Sequence, residues 1–211
     1  MKIKAFISAL KSLQFDNTFN PYFDTCDVHD YDASALQRRL MLESILKEAI
    51  HVEVDAIWVG RDLGYRGGRR TGLALTDDQN LSKHLGRWSL KAEKITKGQP
   101  IKERTATVVW DMLENINSPV FLWNVFPLHP FKAGQPFTNR NHNSHERKAG
   151  EEVLSLLIEL LKPKRLIAVG NDAERSIMKF SNNYEVLKVR HPSYGGQSDF
   201  VKQINHLYKN Q

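Results

Sequence analysis

The 211-residue sequence predicts an α/β protein, a three-layer α/β/α domain around a central, mostly parallel four-stranded sheet. Three observations predict it. Short apolar runs at residues 54–59, 120–124, 165–169 and 184–189 alternate with stretches of helical period, in the order α, β, α, β, α, β, α, β, α. The first run is nearly all apolar, as expected of a strand covered on both faces in a parallel sheet. Polar groups then follow or close three of the runs: Gly60-Arg61-Asp62-Leu63-Gly64, Asn124, and His191-Pro192-Ser193. Open α/β sheets bind ligands beyond the carboxyl ends of their strands, so an acid, an amide and an imidazole are expected around one crevice.

Residues 1–211 read as a single domain, with 1–31 an irregular lead-in whose Phe15, Phe19, Tyr22 and Phe23 pack over the core. Leu42, Ile45, Leu46 and Ala49 mark one face of a helix over 34–50, with Asp32 or Ser34 as its cap. After the first strand comes a Gly- and Arg-rich stretch from Arg61 to Thr76. A basic region follows, with seven Lys or Arg and two Glu between Lys83 and Arg104. A helix over 103–115 leads to the second strand, which Pro119 opens. Residues 125–144 read as a long loop with three prolines, and a loop of that length inside a compact domain usually has a function. Ala149, Val153, Leu156, Leu157 and Leu160 mark the next helix, which Pro163 stops. The strand at 165–169, a short helix opening near Asp172, the strand at 184–189 and a terminal helix over 198–208 complete the chain.

Composition bounds the function. The formal charge of +6 favours a polyanionic partner. One cysteine, Cys26, excludes a disulfide framework and any Cys-rich zinc or iron–sulfur cluster. His129, His142 and His145 lie in or near the long loop, but their spacing fits no zinc pattern, so no metal and no cofactor is expected. Lys11 breaks the first apolar stretch, and nothing approaches the roughly 18–20 apolar residues that cross a bilayer. The expectation is a soluble cytoplasmic protein, monomeric and without a membrane partner.

The strand-end motifs resemble the uracil-DNA glycosylase superfamily over most of residues 54–208. The resemblance rests on the Gly60–Gly64 loop, the strand ending in Asn124, the segment Thr71-Gly72-Leu73-Ala74-Leu75-Thr76, and the His191–Ser193 loop, in that order. It implies hydrolysis of an N-glycosidic bond in DNA. The sugar then takes on cationic character and the departing base negative charge. Asp62 stabilises the cation and orients water, and His191 donates to O2 of the leaving base. The base must first be flipped from the duplex. Gly60, Gly64, Leu75 and Asn124 then line its pocket, with Asn124 reading the Watson–Crick edge. Arg61, Arg66, Arg69, Arg70 and Ser193 contact DNA, and Tyr194 fills the vacated space. No motif lysine offers the amine a lyase step needs, so the enzyme is expected to be monofunctional.

The chain also departs from the superfamily pattern. Leu63 replaces a usual Pro, Gly64 a Tyr that blocks 5-substituted pyrimidines, and Leu75 an aromatic that stacks on the base. These changes, with the Gly67-Gly68 pair, imply a roomier pocket. The base is uracil, or a cytosine enlarged at C5 as in modified phage DNA, which would make the role repair in one case and antiphage defence in the other. A flippable Asn amide does not separate them. A non-catalytic DNA- or damaged-base-binding module of the same fold is the competing reading. A nucleotide-binding protein is disfavoured, because the 60–72 loop has neither phosphate-loop nor dinucleotide spacing.

Overall fold

A computed structural model describes residues 2–209. The elements are α1 (Lys2–Ser12), β1 (Thr18–Phe19), α2 (Ser34–Ala49), β2 (Ala56–Asp62), α3 (Gly68–Thr71), α4 (Leu81–Gly86), α5 (Arg104–Leu113), β3 (Val120–Phe126), β4 (His129–Pro130), α6 (Ser144–Leu161), β5 (Arg165–Val169), α7 (Asn171–Ile177), β6 (Glu185–Val189) and α8 (Gln197–Leu207). The main sheet has the order β3-β2-β5-β6, and every pairing in it is parallel.

Alternation along each strand builds the three layers. Ile57, Val59, Phe121, Trp123, Leu166 and Ala168 face one core, shared with Phe6 and Leu10 of α1, Leu42 and Leu46 of α2, and Leu154 and Leu157 of α6. Ala56, Trp58, Val120, Leu122, Ile167 and Val169 face the other, shared with Val109 and Leu113 of α5 and Phe200 and Ile204 of α8. β2, buried from Ala56 to Gly60, sits at the centre of this sandwich, as its apolar run requires.

The N-terminal segment differs from the expected irregular lead-in. Residues 2–12 form α1, whose Phe6 and Leu10 are buried four residues apart on one face. Phe19 and Tyr22 are buried and Phe15 meets Phe126 edge-on, whereas Phe23 is exposed beneath the Lys11 ammonium. Two strands also extend further than expected. β2 continues through Arg61 to Asp62, and β3 passes Asn124 to the buried apolar pair Val125 and Phe126, because backbone pairing continues: Gly60 pairs with Asn124 and Asp62 with Phe126, so Asn124 lies inside its strand.

The chain passes from β2 to β3 on one side, then crosses to β5 on the other. Such a switch in winding opens a crevice at the carboxyl ends of the strands, and the site lies there.

Candidate functional site

The carboxyl ends of β2, β5 and β6 border a cleft of about 380 Å³. Arg61, Asp62, Gly64 and Leu75 line it from the β2 side, Gly170 and Asp172 from the turn after β5, and Arg190, His191, Ser193 and Tyr194 from the turn after β6.

Asp62 ends β2 with a side chain only 5% exposed. Arg61 donates from Nε to its Oδ2 at 2.6 Å, and His142 Nδ1 contacts its Oδ1. An ionised carboxylate only accepts, so His142 carries a proton on Nδ1 when it bonds to the ionised acid. His142 reaches Asp62 because its loop is pinned at both ends. Arg140 bonds both carboxylate oxygens of buried Glu146, at 2.8 and 2.6 Å, and also the carbonyl of Phe131. Asn143 and Glu146 form a reciprocal cap at the start of α6. Asn139 Oδ1 accepts from the backbone N–H of Tyr65, tying the loop to the turn after β2.

His191 is organised within its own turn. Its Nδ1 accepts from the backbone N–H of Ser193 at 3.2 Å and lies 2.7 Å from the Ser193 hydroxyl. A backbone N–H can only donate, so Nδ1 is the acceptor nitrogen and the neutral ring carries its proton on Nε2. Burial, aided by the cations of Arg61 and Arg190, holds the imidazole pKa down at about 4. The ring is therefore a neutral donor at physiological pH.

Asn124 is 1% exposed, and among the described residues neither polar atom of its amide has a hydrogen-bond partner. An unpaired buried amide costs about 1–3 kcal/mol per group, so it usually has a reason to be kept. It lies beside Gly60, where a Cβ would come within 2.4 Å of Oδ1 and 3.3 Å of Leu75 Cδ2. Only glycine at residue 60 leaves this amide its place. Leu75, held at a φ of 53°, has its carbonyl bonded by Trp110 Nε1 at 3.1 Å.

The expected arginine cluster divides. Arg66 is exposed and Arg61 half-buried beside the cleft. Arg69 and Arg70 are 5% and 2% exposed, which corrects their expected role on phosphates. Arg69 stacks 3.8 Å from the Phe19 ring centre and also faces Phe137. Arg70 is paired with Asp78 and bonded to Thr96. Tyr194 is 97% exposed at the mouth, with a left-handed φ of 51°. The roomier pocket also needs correction, because the side chain of Glu103 occupies the space that Gly64 and Gly67 leave free.

Strand-end reasoning missed Glu103 in the cleft wall, and it missed His142, which it treated only as a poor metal ligand. The position of His142 in a long loop was the available signal. No group of three or more metal-ligating side chains occurs among the described residues.

The sequence model of the uracil DNA glycosylase superfamily matches residues 50–209. The chain belongs to that superfamily. The crystal structure of wild-type SMUG2 from Pedobacter heparinus has the same fold, with a TM-score of 0.64 and 15% sequence identity over 99% of this chain and 97% of that one. No curated protein matches the chain. Among the described residues, no helix of this glycosylase-superfamily member is long and apolar enough to cross a membrane.

Proposed function

We propose that the protein is a monofunctional DNA glycosylase that hydrolyses the N-glycosidic bond of a flipped pyrimidine and leaves an abasic site. One observation carries the reading: a single cleft holds the Asp62 carboxylate and a neutral His191 whose proton sits on Nε2. As the bond breaks, positive charge grows on the sugar and negative charge on the base. Asp62 stabilises the first and orients water, while His191 Nε2–H stabilises the second at O2. Both groups are prearranged, so little reorganisation is needed at the moment of reaction.

Asn124 reads the Watson–Crick edge. A base reaching its amide takes the space now held by the Leu75 methyl beside Gly60, and the unpaired amide gains its hydrogen bonds. Tyr194 fills the space left in the duplex, and Arg61, Arg66 and Ser193 contact the backbone around it. Among the described residues no lysine lines the cleft, which supports hydrolysis without a lyase step. Uracil and a C5-modified cytosine remain the two substrates, with repair and antiphage defence as the corresponding roles and the cytoplasm as the site of action.

One feature favours the non-catalytic reading: Asp62 is engaged by both Arg61 and His142, as a purely structural carboxylate would be. Incubation with duplex and single-stranded oligonucleotides carrying uracil, cytosine or 5-hydroxymethylcytosine, followed by alkali, separates the two. The glycosylase gives a strand break at one modified or deaminated base. Binding with no break at any base would favour the module.

A further inference from the structure

Glu103, just before α5, takes no part in the chemistry above, yet its side chain lines the cleft. Its carboxyl lies against the turn after β2. A Cβ on Gly64 would be 2.8 Å from Oε1, and a Cβ on Gly67 would be 2.0 Å from Oε2. Two glycines in that turn thus make room for this one acid. The backbone is fixed, since Glu103 N–H donates to Asp77 Oδ2 at 2.6 Å. The carboxyl itself has no hydrogen-bond or ion-pair partner among the described residues. It is a partly buried acceptor facing a cavity with unused lone pairs.

The ring geometry says what it faces. In a pyrimidine, C5 lies across the ring from C2. With O2 directed at His191, after β6, the C5 edge points toward the β2 side of the cleft. β5 separates the two strands, which puts them about 10 Å apart at the usual strand spacing. Beyond Arg61 and Asp62, which end the strand, the groups on the β2 side include Gly64, Leu75 and Glu103.

We propose that Glu103 is a specificity residue that selects a pyrimidine bearing a hydrogen-bond donor at its C5 edge, a 5-hydroxymethyl group, over the unsubstituted base. This rests on the glycosylase reading. The hydroxymethyl O–H donates to the carboxylate. Uracil offers only a C–H at C5, which gives an ionised carboxylate no donor to accept from. The charges facing Glu103 are Asp77 before α4 and Arg66 in the turn after β2. Burial and then Asp77 push its pKa up to about 7, with Arg66 opposing. Near neutrality the carboxyl therefore changes between an acceptor and a neutral acid that can donate to O4.

Single-turnover cleavage of duplexes carrying uracil or 5-hydroxymethyluracil, which differ only at C5, tests the proposal with wild type, Glu103→Gln and Glu103→Leu. At pH 8 the wild type should favour the hydroxymethyl base by roughly 10- to 100-fold, the effect of one charge-assisted hydrogen bond. Glu103→Leu should cut that ratio at least about tenfold. The ratio in wild type should shrink from pH 8 to pH 6, and Glu103→Gln should remove this pH dependence. Equal wild-type rates on both bases, or a ratio untouched by either variant, overturns the proposal and leaves the glycosylase reading intact. If neither base is cleaved, equilibrium binding to the same duplexes decides the role of Glu103, and the glycosylase reading fails only if 5-hydroxymethylcytosine is not cleaved either. A hydroxymethyl preference in binding that Glu103→Leu abolishes supports it, and equal binding overturns it.

Discussion

The two ends of the cleft hold their reactive groups in opposite ways. After β6, His191 takes its orienting partner from two residues away, through the Ser193 backbone and hydroxyl. After β2, Asp62 is held by its neighbour Arg61 and by His142, 80 residues distant, on a loop that needs Arg140, Glu146 and Asn139 to stay in place. The His end carries its own geometry in a tripeptide. The Asp end borrows its geometry from packing. The first should therefore tolerate changes elsewhere in the fold, while the second should be sensitive to the long loop.

The sharpest test of that contrast starts with the groups themselves. Asp62→Ala should slow single-turnover cleavage by about 10²–10⁴-fold while DNA affinity stays within a few-fold of wild type. His191→Ala should cost about 10²–10³-fold, the usual effect of removing one donor to a developing anion. If the His191 loss appears only in binding, the tripeptide positions DNA instead of the leaving base.

A smaller effect measures the borrowed geometry. His142→Ala should slow cleavage by roughly tenfold, about the value of one charge-assisted hydrogen bond. Its effect should vanish when Asp62 is already alanine, because it acts through that carboxylate; a double-mutant cycle reads this directly. Full additivity in the cycle would break the comparison, giving His142 a role apart from Asp62.

A separate effect is on stability. Burial holds His191 at about 4, as it does His129 at about 4 and His84 at about 3, against an ordinary value of 6.5. Between these values the unfolded chain binds more protons than the folded one. The histidine contribution should thus be fully present above about pH 6.5 and be lost as the pH drops toward 4, and three histidines outweigh Glu103, whose raised pKa acts in the opposite sense. Urea midpoints measured from pH 7 to pH 4.5 check this, and a flat series would contradict the buried neutral histidines.

Sheet, layers and strand order of appearance were legible because period and burial are local properties of a chain. The helix α1 was missed inside the expected irregular lead-in, although Ile3, Phe6, Ile7 and Leu10 repeat at helical spacing, because the aromatic residues after it have no such period. The arginines show the limit. Arg66 and Arg69 look alike in a Gly- and Arg-rich run, yet one is exposed and the other stacks between Phe19 and Phe137. A cation's partners come from wherever the chain returns, and charge patterning along the sequence does not contain them.

By itself the sequence determined the parallel α/β layering and the placing of an acid at the end of β2 and an imidazole just after β6, since alternation and strand-end position follow from near neighbours, whereas the amide expected at the end of β3 lies inside that strand. Only the tertiary structure decided what surrounds each group. It set His142 on Asp62, left the Asn124 amide unpaired beside Gly60, buried Arg69 and Arg70, and filled the room beside Gly64 and Gly67 with the Glu103 carboxyl. Each of these depends on contacts between residues far apart in the chain, and it is the packing of loops on the sheet that brings those residues together.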